Sequence, residues 1–306
     1  MRLKFGRPDL AAYADRFDEP VATDTSPLRV TWAGVTTMLV SDGHSAVLTD
    51  GFFSRPPLAT VVLGKLAPSH DRIDAALQRL GVDRLDAVLP VHSHFDHIMD
   101  SAVVADKTGA VLVGGASTAQ VGRGGGLSED RLTVVTPGAP VCLGAFDVTL
   151  TVGHHCPPDR YPGIIDTPVV PPARTSAYRC GEAWSTLIAH RPSGRNLLAV
   201  GSAGFVPGAL TGQRAEVVYL GVGQLGLQPR RYLLDYWTET VRTVGARRVV
   251  LTHWDDFFRP LDQPLRALPY AGDDLDVSMR VLSELAAQDD VQLHLPTLWQ
   301  PADPWL

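Results

Sequence analysis

Cysteine is scarce in this chain: only three occur in 306 residues. Cys142, Cys156 and Cys180 are odd in number and widely spaced, which excludes a disulfide framework and makes a reducing cytoplasm the expected setting. Long apolar runs are missing too. None approaches the roughly eighteen residues that a membrane helix needs, so no span is expected. The opening MRLKFGRPDLAAYADRF is charged through its first turns and lacks the apolar stretch of a secretory signal. Basic blocks are also lacking. With 27 Lys and Arg against 33 Asp and Glu, and a net charge of −6, no nucleic-acid surface is expected. The run Gly122-Arg-Gly-Gly-Gly126 has neither the strand–helix context nor the Lys-Ser/Thr of a phosphate loop, and reads as a flexible loop. No repeat of fixed period stands out.

What the chain does have is a concentration of histidine. Three of its 10 histidines fall within Val88–Asp100, VLPVHSHFDHIMD. An apolar run (Ala87, Val88, Leu89) leads into His92, His94, Asp96 and His97. A helical pattern follows through Ile98, Met99, Ala102, Val103 and Ala105, and Gly109 sits at its expected end. The polar four therefore lie where a buried strand passes into a helix. In extended backbone His92 and His94 point to one side. Asp96 and His97 open the helix and can face the same volume. Three imidazoles and a carboxylate at this spacing suit Zn²⁺, whose nitrogen and oxygen ligands lie at about 2.0–2.2 Å. A solvated polar loop is the bland alternative.

The remaining chain reads as α/β or α+β. Residues 1–27 are expected to wrap the surface. Leu28–Val40 and Ala46–Leu48 read as two strands around the turn that carries His44, which is expected to face solvent. Asp50 ends the second strand; a plain turn aspartate is its simplest reading. Gly51–Pro68 is irregular and a candidate active-site wall. Ser69 caps a helix over Asp71–Leu80 that Gly81 closes, with His70 a structural residue of the cap. Strands follow over Ala110–Val113, Leu132–Val135, Pro140–Leu143 and Asp147–Val152, the last running into His154-His155. Cys156–Arg179 is a Pro-rich insertion of a length that is often functional. Its Arg160, Tyr161, Arg174 and Tyr178 could meet an anionic substrate, or the segment could be a surface or oligomer contact. Cys156 could be a ligand beside His155, although an ordinary buried thiol is commoner. Trp184–His190, Leu197–Val200, Glu216–Leu220 and Arg248–Leu251 read as strands. Pro229–Val244 and Asp276–Ala287 read as helices, and Val291–His294 as a last strand. His294 has no evident partner.

The H-x-H-x-D-H run of His92, His94, Asp96 and His97 resembles the signature of the metallo-β-lactamase fold. Thr31–Asp50 resembles the opening hairpin of its branch of ascorbate-6-phosphate lactonase-like and N-acyl-phosphatidylethanolamine phospholipase D-like hydrolases. His155, the Gly201–Gly204 turn and His253 follow in the family's order, so the similarity covers about Leu28 to Phe258. The resemblance implies a single four-layer αββα sandwich domain over 1–306, with the insertion at about 156–180. It implies metals at the edge between two sheets: His92, His94 and His155 (or its neighbour His154) for the first, Asp96, His97 and His253 for the second. Asp50 would support a metal-binding histidine from behind. Three protein ligands at the first metal leave a position for water, the pattern of catalytic zinc. Asp96 would then accept a proton or orient the water. The expected function is metal-dependent hydrolysis of an ester, lactone or phosphodiester in a small, anionic substrate; homo-oligomer formation leaves no mark in the sequence. The family's turn normally reads G-D-T-G, with an Asp that bridges two metals. Here Ser202 stands in its place, and a neutral hydroxyl is no substitute for a bridging carboxylate. One tightly held Zn and a weaker second site are therefore expected, with Mn, Fe, Co or Ni as other occupants. The same change raises an alternative, a protein that keeps the fold and binds a metal or ligand without hydrolysing. A di-iron redox centre is a weaker option because it too would want the bridging carboxylate.

Overall fold

The computed structural model describes residues 4–306. The first half of the chain builds one sheet from β1 (Arg29–Trp32), β2 (Met38–Ser41), β3 (Ala46–Thr49), β4 (Ala87–Leu89), β5 (Val111–Gly114) and β6 (Leu132–Val134), adjacent in that order. The second sheet runs β7 (Pro140–Leu143), β8 (Phe146–Gly153), β9 (Ala183–His190), β10 (Asn196–Val200), β11 (Val217–Gly221), β12 (Arg248–Thr252) and β13 (Gln292–His294). A short β14 (Pro301–Ala302) returns to the first sheet beside β1. Each sheet is antiparallel where it is built from hairpins and parallel at its far side, over β3–β6 and over β10–β13.

The side chains explain the layering. In β4, Ala87 and Leu89 enter the core between the sheets, whereas Val88 faces outward, as the two-residue period of a strand requires. Val88 meets the helices α2 (His70–Leu80) and α4 (Ser101–Thr108), which present Ile73, Ala76, Leu77, Val104 and Ala105. On the other side α6 (Arg230–Trp237) and α7 (Leu275–Asp289) cover the second sheet with Leu233, Tyr236, Trp237, Met279, Leu282 and Leu285. The strands between, such as Val217–Gly221 and Arg248–Thr252, are buried at every residue, which is why they read as continuous apolar runs. Each large apolar side chain so enclosed contributes roughly 1.5–3 kcal/mol. The four layers expected from the sequence are those observed.

Several local expectations need correction. Leu28–Val40 is two strands, because Gly34 (φ +90) and Val35 (φ +50) turn the chain between them. Gly51–Pro68 contains a short helix at Leu58–Leu63. The glycine-rich run is no flexible loop: Gly122 and Gly124 finish a helix over Ala116–Gly124. A Cβ on Gly124 would lie 1.9 Å from the Val169 carbonyl oxygen, so glycine lets the Pro-rich insertion pack directly on this helix end. The helix expected over Pro229–Val244 continues past Trp237 as a π-helical turn, Thr238–Arg242. Of the surface segment 1–27, residues 1–3 lie outside the described residues. The rest carries a short helix at Leu10–Arg16 and a bridge from Val21 to Ala302.

Candidate metal centre

The parallel strands fix where polar side chains can gather. Asp50 follows β3, and His92 to His97 follow β4. His155 follows β8, Ser202 follows β10 and His253 follows β12. β8 and β10 flank β9, antiparallel to both, and so run the same way as each other. All five segments thus leave the carboxyl ends of their strands at one edge of the sandwich, where open sheets of this kind form sites.

Two groups of donors converge there. One donor atom each from His92, His94 and His155 lies within 4.8 Å of the others, and the same is true of Asp96, His97 and His253. His92 and His97 are fully buried, and His94, Asp96 and His253 are nearly so. The rings of His92 and His97 lie 4.1 Å apart between centroids, which joins the two groups into one centre.

The hydrogen bonds decide which nitrogen is bare in the rings of His97, His155 and His94. His97 Nδ1 lies 2.8 Å from Asp50 Oδ2. A carboxylate only accepts, so Nδ1 carries the proton and Nε2 has a lone pair. That Nε2 is buried without a partner, 3.7 Å from Asp96 Oδ2. His155 Nδ1 donates to the Cys156 carbonyl oxygen at 2.6 Å, which leaves its Nε2 bare. His94 Nε2 faces two acceptors, Asp159 Oδ1 at 3.2 Å and the Tyr161 carbonyl at 3.4 Å. Its Nδ1 is therefore the bare atom, 3.0 Å from His92 Nε2. His253 Nε2 is 3.6 Å from Asp96 Oδ2. Orphaned Nε2 at His97 and paired bare nitrogens elsewhere are what a divalent cation would satisfy, and nitrogen with one carboxylate suits zinc and its neighbours. The residues present fit such an ion.

Electrostatics point the same way. Burial, reinforced by the neighbouring imidazoles, holds His92 well below the ordinary histidine range. Burial and His94 push His155 down to about 4, and burial with His97 lowers His253. Neutral rings are the form that binds metal. Burial would raise Asp96, but His97 and His253 outweigh it and keep the carboxyl ionised. At His97 burial opposes the charge, yet Asp50 and Asp96 raise its pKa.

The backbone around the centre is strained. Val35, Asp50, Arg55 and His253 all have positive φ, between 41° and 61°. Such residues cost of order 1–3 kcal/mol each and persist only where the surroundings hold them. The His253 amide donates to the Val35 carbonyl at 2.9 Å. The Val35 amide donates to Asp255 Oδ1, and Asp255 Oδ2 meets Arg55 Nη2 at 2.6 Å in a fully buried ion pair. Asp50 is held by Oδ1, which accepts the Val91 amide at 2.9 Å, and by the Thr36 hydroxyl, which donates to Oδ2.

The structure separates the other candidates. His155 joins the cluster, whereas His154 is exposed. His44 and His70 are exposed, and His294 Nδ1 pairs with Asp18 at 2.7 Å. Ser202 Oγ accepts the Cys156 amide at 3.0 Å, so the residue in the bridging position anchors the chain after His155. The Cys156 thiol, pushed up to about 12 by burial and by Asp273, belongs to neither group of converging donors. In the insertion, Tyr178 is a correction: it is buried in an apolar cluster with Phe95, Ile98 and Met99 and does not face a substrate. Arg160, Tyr161 and Arg174 are exposed. The side chain that reaches the centre is Asp159, which sequence reasoning passed over, as it did Thr36, Arg55 and Asp255. None of the four has a distinctive spacing; each is brought in by long-range packing.

Fold and site together define a two-sheet αββα protein with a histidine and carboxylate centre at the sheet edges. A model of the Metallo-beta-lactamase superfamily matches residues 30–176. A UPF0173 metal-dependent hydrolase of Methanopyrus kandleri is 33% identical over 128 residues, 42% of this chain and 47% of that protein. One from Rhizobium leguminosarum bv. trifolii is 29% identical over 128 residues, 42% of this chain and 48% of that protein. The chain spans about half the length of the curated relatives it matches. Among solved structures, a possible metal-dependent hydrolase from Veillonella parvula superposes with a TM-score of 0.56 at 12% identity, covering 90% of this chain and 98% of that one. Igni18, a metallo hydrolase from Ignicoccus hospitalis, gives 0.54 at 18% identity over 90% and 97%. The chain has the metallo-β-lactamase fold, and its residues 30–176, just under half of it, are similar to that superfamily's model. No helix among the described residues is long and apolar enough to cross a membrane.

Proposed function

We propose that the protein is a metal-dependent hydrolase of a small, anionic ester, lactone or phosphodiester, in keeping with the lactonase- and phosphodiesterase-like branch its hairpin resembles. The observation that carries this reading is the orphaned, tautomer-fixed nitrogen of His97 beside the converging rings of His92, His94 and His155. His92, His94 and His155 would hold the tighter ion, preferentially zinc, and Asp96, His97 and His253 a weaker one. The metal supplies Lewis acidity that makes water nucleophilic near neutral pH. Asp96, kept ionised by His97 and His253, would orient that water and accept its proton. His92, His155 and His253, lowered by burial, stay neutral and are not spent as acids. The insertion, packed over Phe95 and Ile98 through Ile165, Val169 and Tyr178, closes one side of the centre and limits bulk water there.

The test is metal content after dialysis together with turnover of bis-p-nitrophenyl phosphate, with and without added Zn²⁺ or Mn²⁺. His92→Ala should lower metal content and abolish turnover, and His44→Ala should leave both near wild type. Equal effects of the two changes, or a wild-type protein with metal bound and no turnover of esters, lactones or phosphodiesters, would refute hydrolysis. The latter result would favour a binding protein of the same fold.

A further inference from the structure

We infer that Asp159, from the Pro-rich insertion, is a positioning residue for His94 and makes metal affinity depend on how the insertion docks. The inference rests on the proposed metal centre. His94 follows β4 in a segment whose backbone is tied to Cys180 through the Ser93 amide, and its ring takes its orientation from partners outside that segment. Asp159 Oδ1 provides one at 3.2 Å from Nε2. The carboxylate is itself fixed, because the Tyr161 amide donates to the same oxygen at 2.9 Å. The Tyr161 carbonyl also faces His94 Nε2 and is held in turn by the Cys180 amide at 2.9 Å. Two acceptors around Nε2 require the proton there. They turn the lone pair of Nδ1 toward His92 Nε2.

Asp50 acts on His97 in the same way, but the two carboxylates come from different parts of the chain. Asp50 ends a core strand and is fully buried, whereas Asp159 is 21% exposed on an added segment. A carboxylate behind a ligating histidine fixes the tautomer and raises ligand basicity; losing it typically costs 10–100-fold in metal affinity. Because Asp159 belongs to the insertion, linkage makes the coupling reciprocal: what the docked insertion contributes to metal binding, bound metal returns to docking.

The main competing arrangement is direct ligation. His94, Asp159 and Cys180 also bring one donor atom each within 4.8 Å. A metal among them would need His94 Nε2, the atom that faces Asp159 Oδ1 and the Tyr161 carbonyl, so the ring would have to give up its proton to serve both places. The Tyr161 carbonyl, 3.4 Å from Nε2, is a pure acceptor and favours a proton on that nitrogen.

The experiment measures Zn²⁺ affinity of the full chain by competition with a chromophoric chelator, and tryptic cleavage at the exposed Arg160, Arg174 and Arg179 with and without Zn²⁺. Asp159→Asn should weaken the tighter site by tenfold or more, with the circular dichroism and Tm of the metal-free protein unchanged. Asp166→Asn, an exposed carboxylate of the same insertion, should stay within about twofold of wild type, the size of a change that removes no contact. Zn²⁺ should slow cleavage of the insertion in wild type and do so less in Asp159→Asn. Wild-type affinity in Asp159→Asn would overturn the inference while leaving the centre intact. A wild-type chain that binds no metal would instead overturn the centre itself. In the Co²⁺ protein, a thiolate-to-cobalt absorption band lost in Cys180→Ser would establish direct ligation and overturn the positioning role.

Discussion

Changing Asp50 to Asn replaces a carboxylate by an amide of nearly the same shape, and the structure says what each atom must then do. The carboxylate accepts three hydrogen bonds: the Val91 amide on Oδ1, and His97 Nδ1 and the Thr36 hydroxyl on Oδ2. An asparagine side chain has one acceptor oxygen and one donor nitrogen. If the oxygen keeps the buried Val91 amide, the NH₂ faces His97 Nδ1. The proton on Nδ1 must then leave, and His97 takes the other tautomer, with hydrogen on the Nε2 that faces Asp96. The opposite amide orientation would set NH₂ against the Val91 amide and strand a buried donor, at about 1–3 kcal/mol. The first arrangement therefore wins, and His97 loses its lone pair for metal. The backbone is not disturbed further, because Asn tolerates the φ of +52° as Asp does. Stability should fall by only about 1–2 kcal/mol, the difference between charged and neutral hydrogen bonds. Metal affinity at Asp96, His97 and His253 should fall about 10–100-fold, or about 1.4–2.8 kcal/mol. Chelator competition and metal count after dialysis measure this, with Tm as the control. Asp50→Asn protein that holds the same number of ions at wild-type affinity would refute the tautomer argument.

Two further outcomes follow from other groups. Ser202→Asp should bring metal stoichiometry after dialysis closer to two per chain. Two divalent ions carry roughly +4, which Asp96 and one hydroxide reduce to about +2, and a second carboxylate offsets more of the repulsion; unchanged number and affinity would refute this. Glu19 concerns stability rather than the centre. Burial raises its carboxyl from the ordinary 4.5 to about 7, against the Tyr219 hydrogen bond and the Arg248 charge, which lower it. Its folded-state pKa is the higher one, so its contribution is fully present below pH 4.5 and is lost as pH rises through 7. Glu19→Gln removes this titration and should flatten the decline, by roughly 3 kcal/mol at most. Denaturant unfolding at pH 5 and pH 8 checks it, and an equal pH difference in both proteins would refute it.

How much was legible in the sequence differs between the core and the centre. The strand-to-helix passage at Val88–Asp100 was readable because its signals are local: an apolar run, a two-residue histidine spacing, then a helical period. The helix at His70–Leu80, closed by Gly81 in the left-handed region, was readable for the same reason. The resemblance set the order of the donors and suggested Ser202 as a departure. Only the tertiary structure decided what Ser202 does, because the amide it accepts from is that of Cys156 on another strand end. It also placed His155, rather than His154, beside His92 and His94: alternation along β8 tells which residues share a face, but not where the strand stops. The glycine-rich run was misread because a requirement for close packing against Val169 looks, in sequence, the same as flexibility. Tyr178 was misread because a tyrosine in a polar, Pro-rich segment gives no sign that it packs on the motif helix. Asp159 had no signal at all. A carboxylate becomes a partner of His94 only when an insertion more than sixty residues downstream folds back on it, and contacts of that kind are set by packing geometry rather than by local pattern.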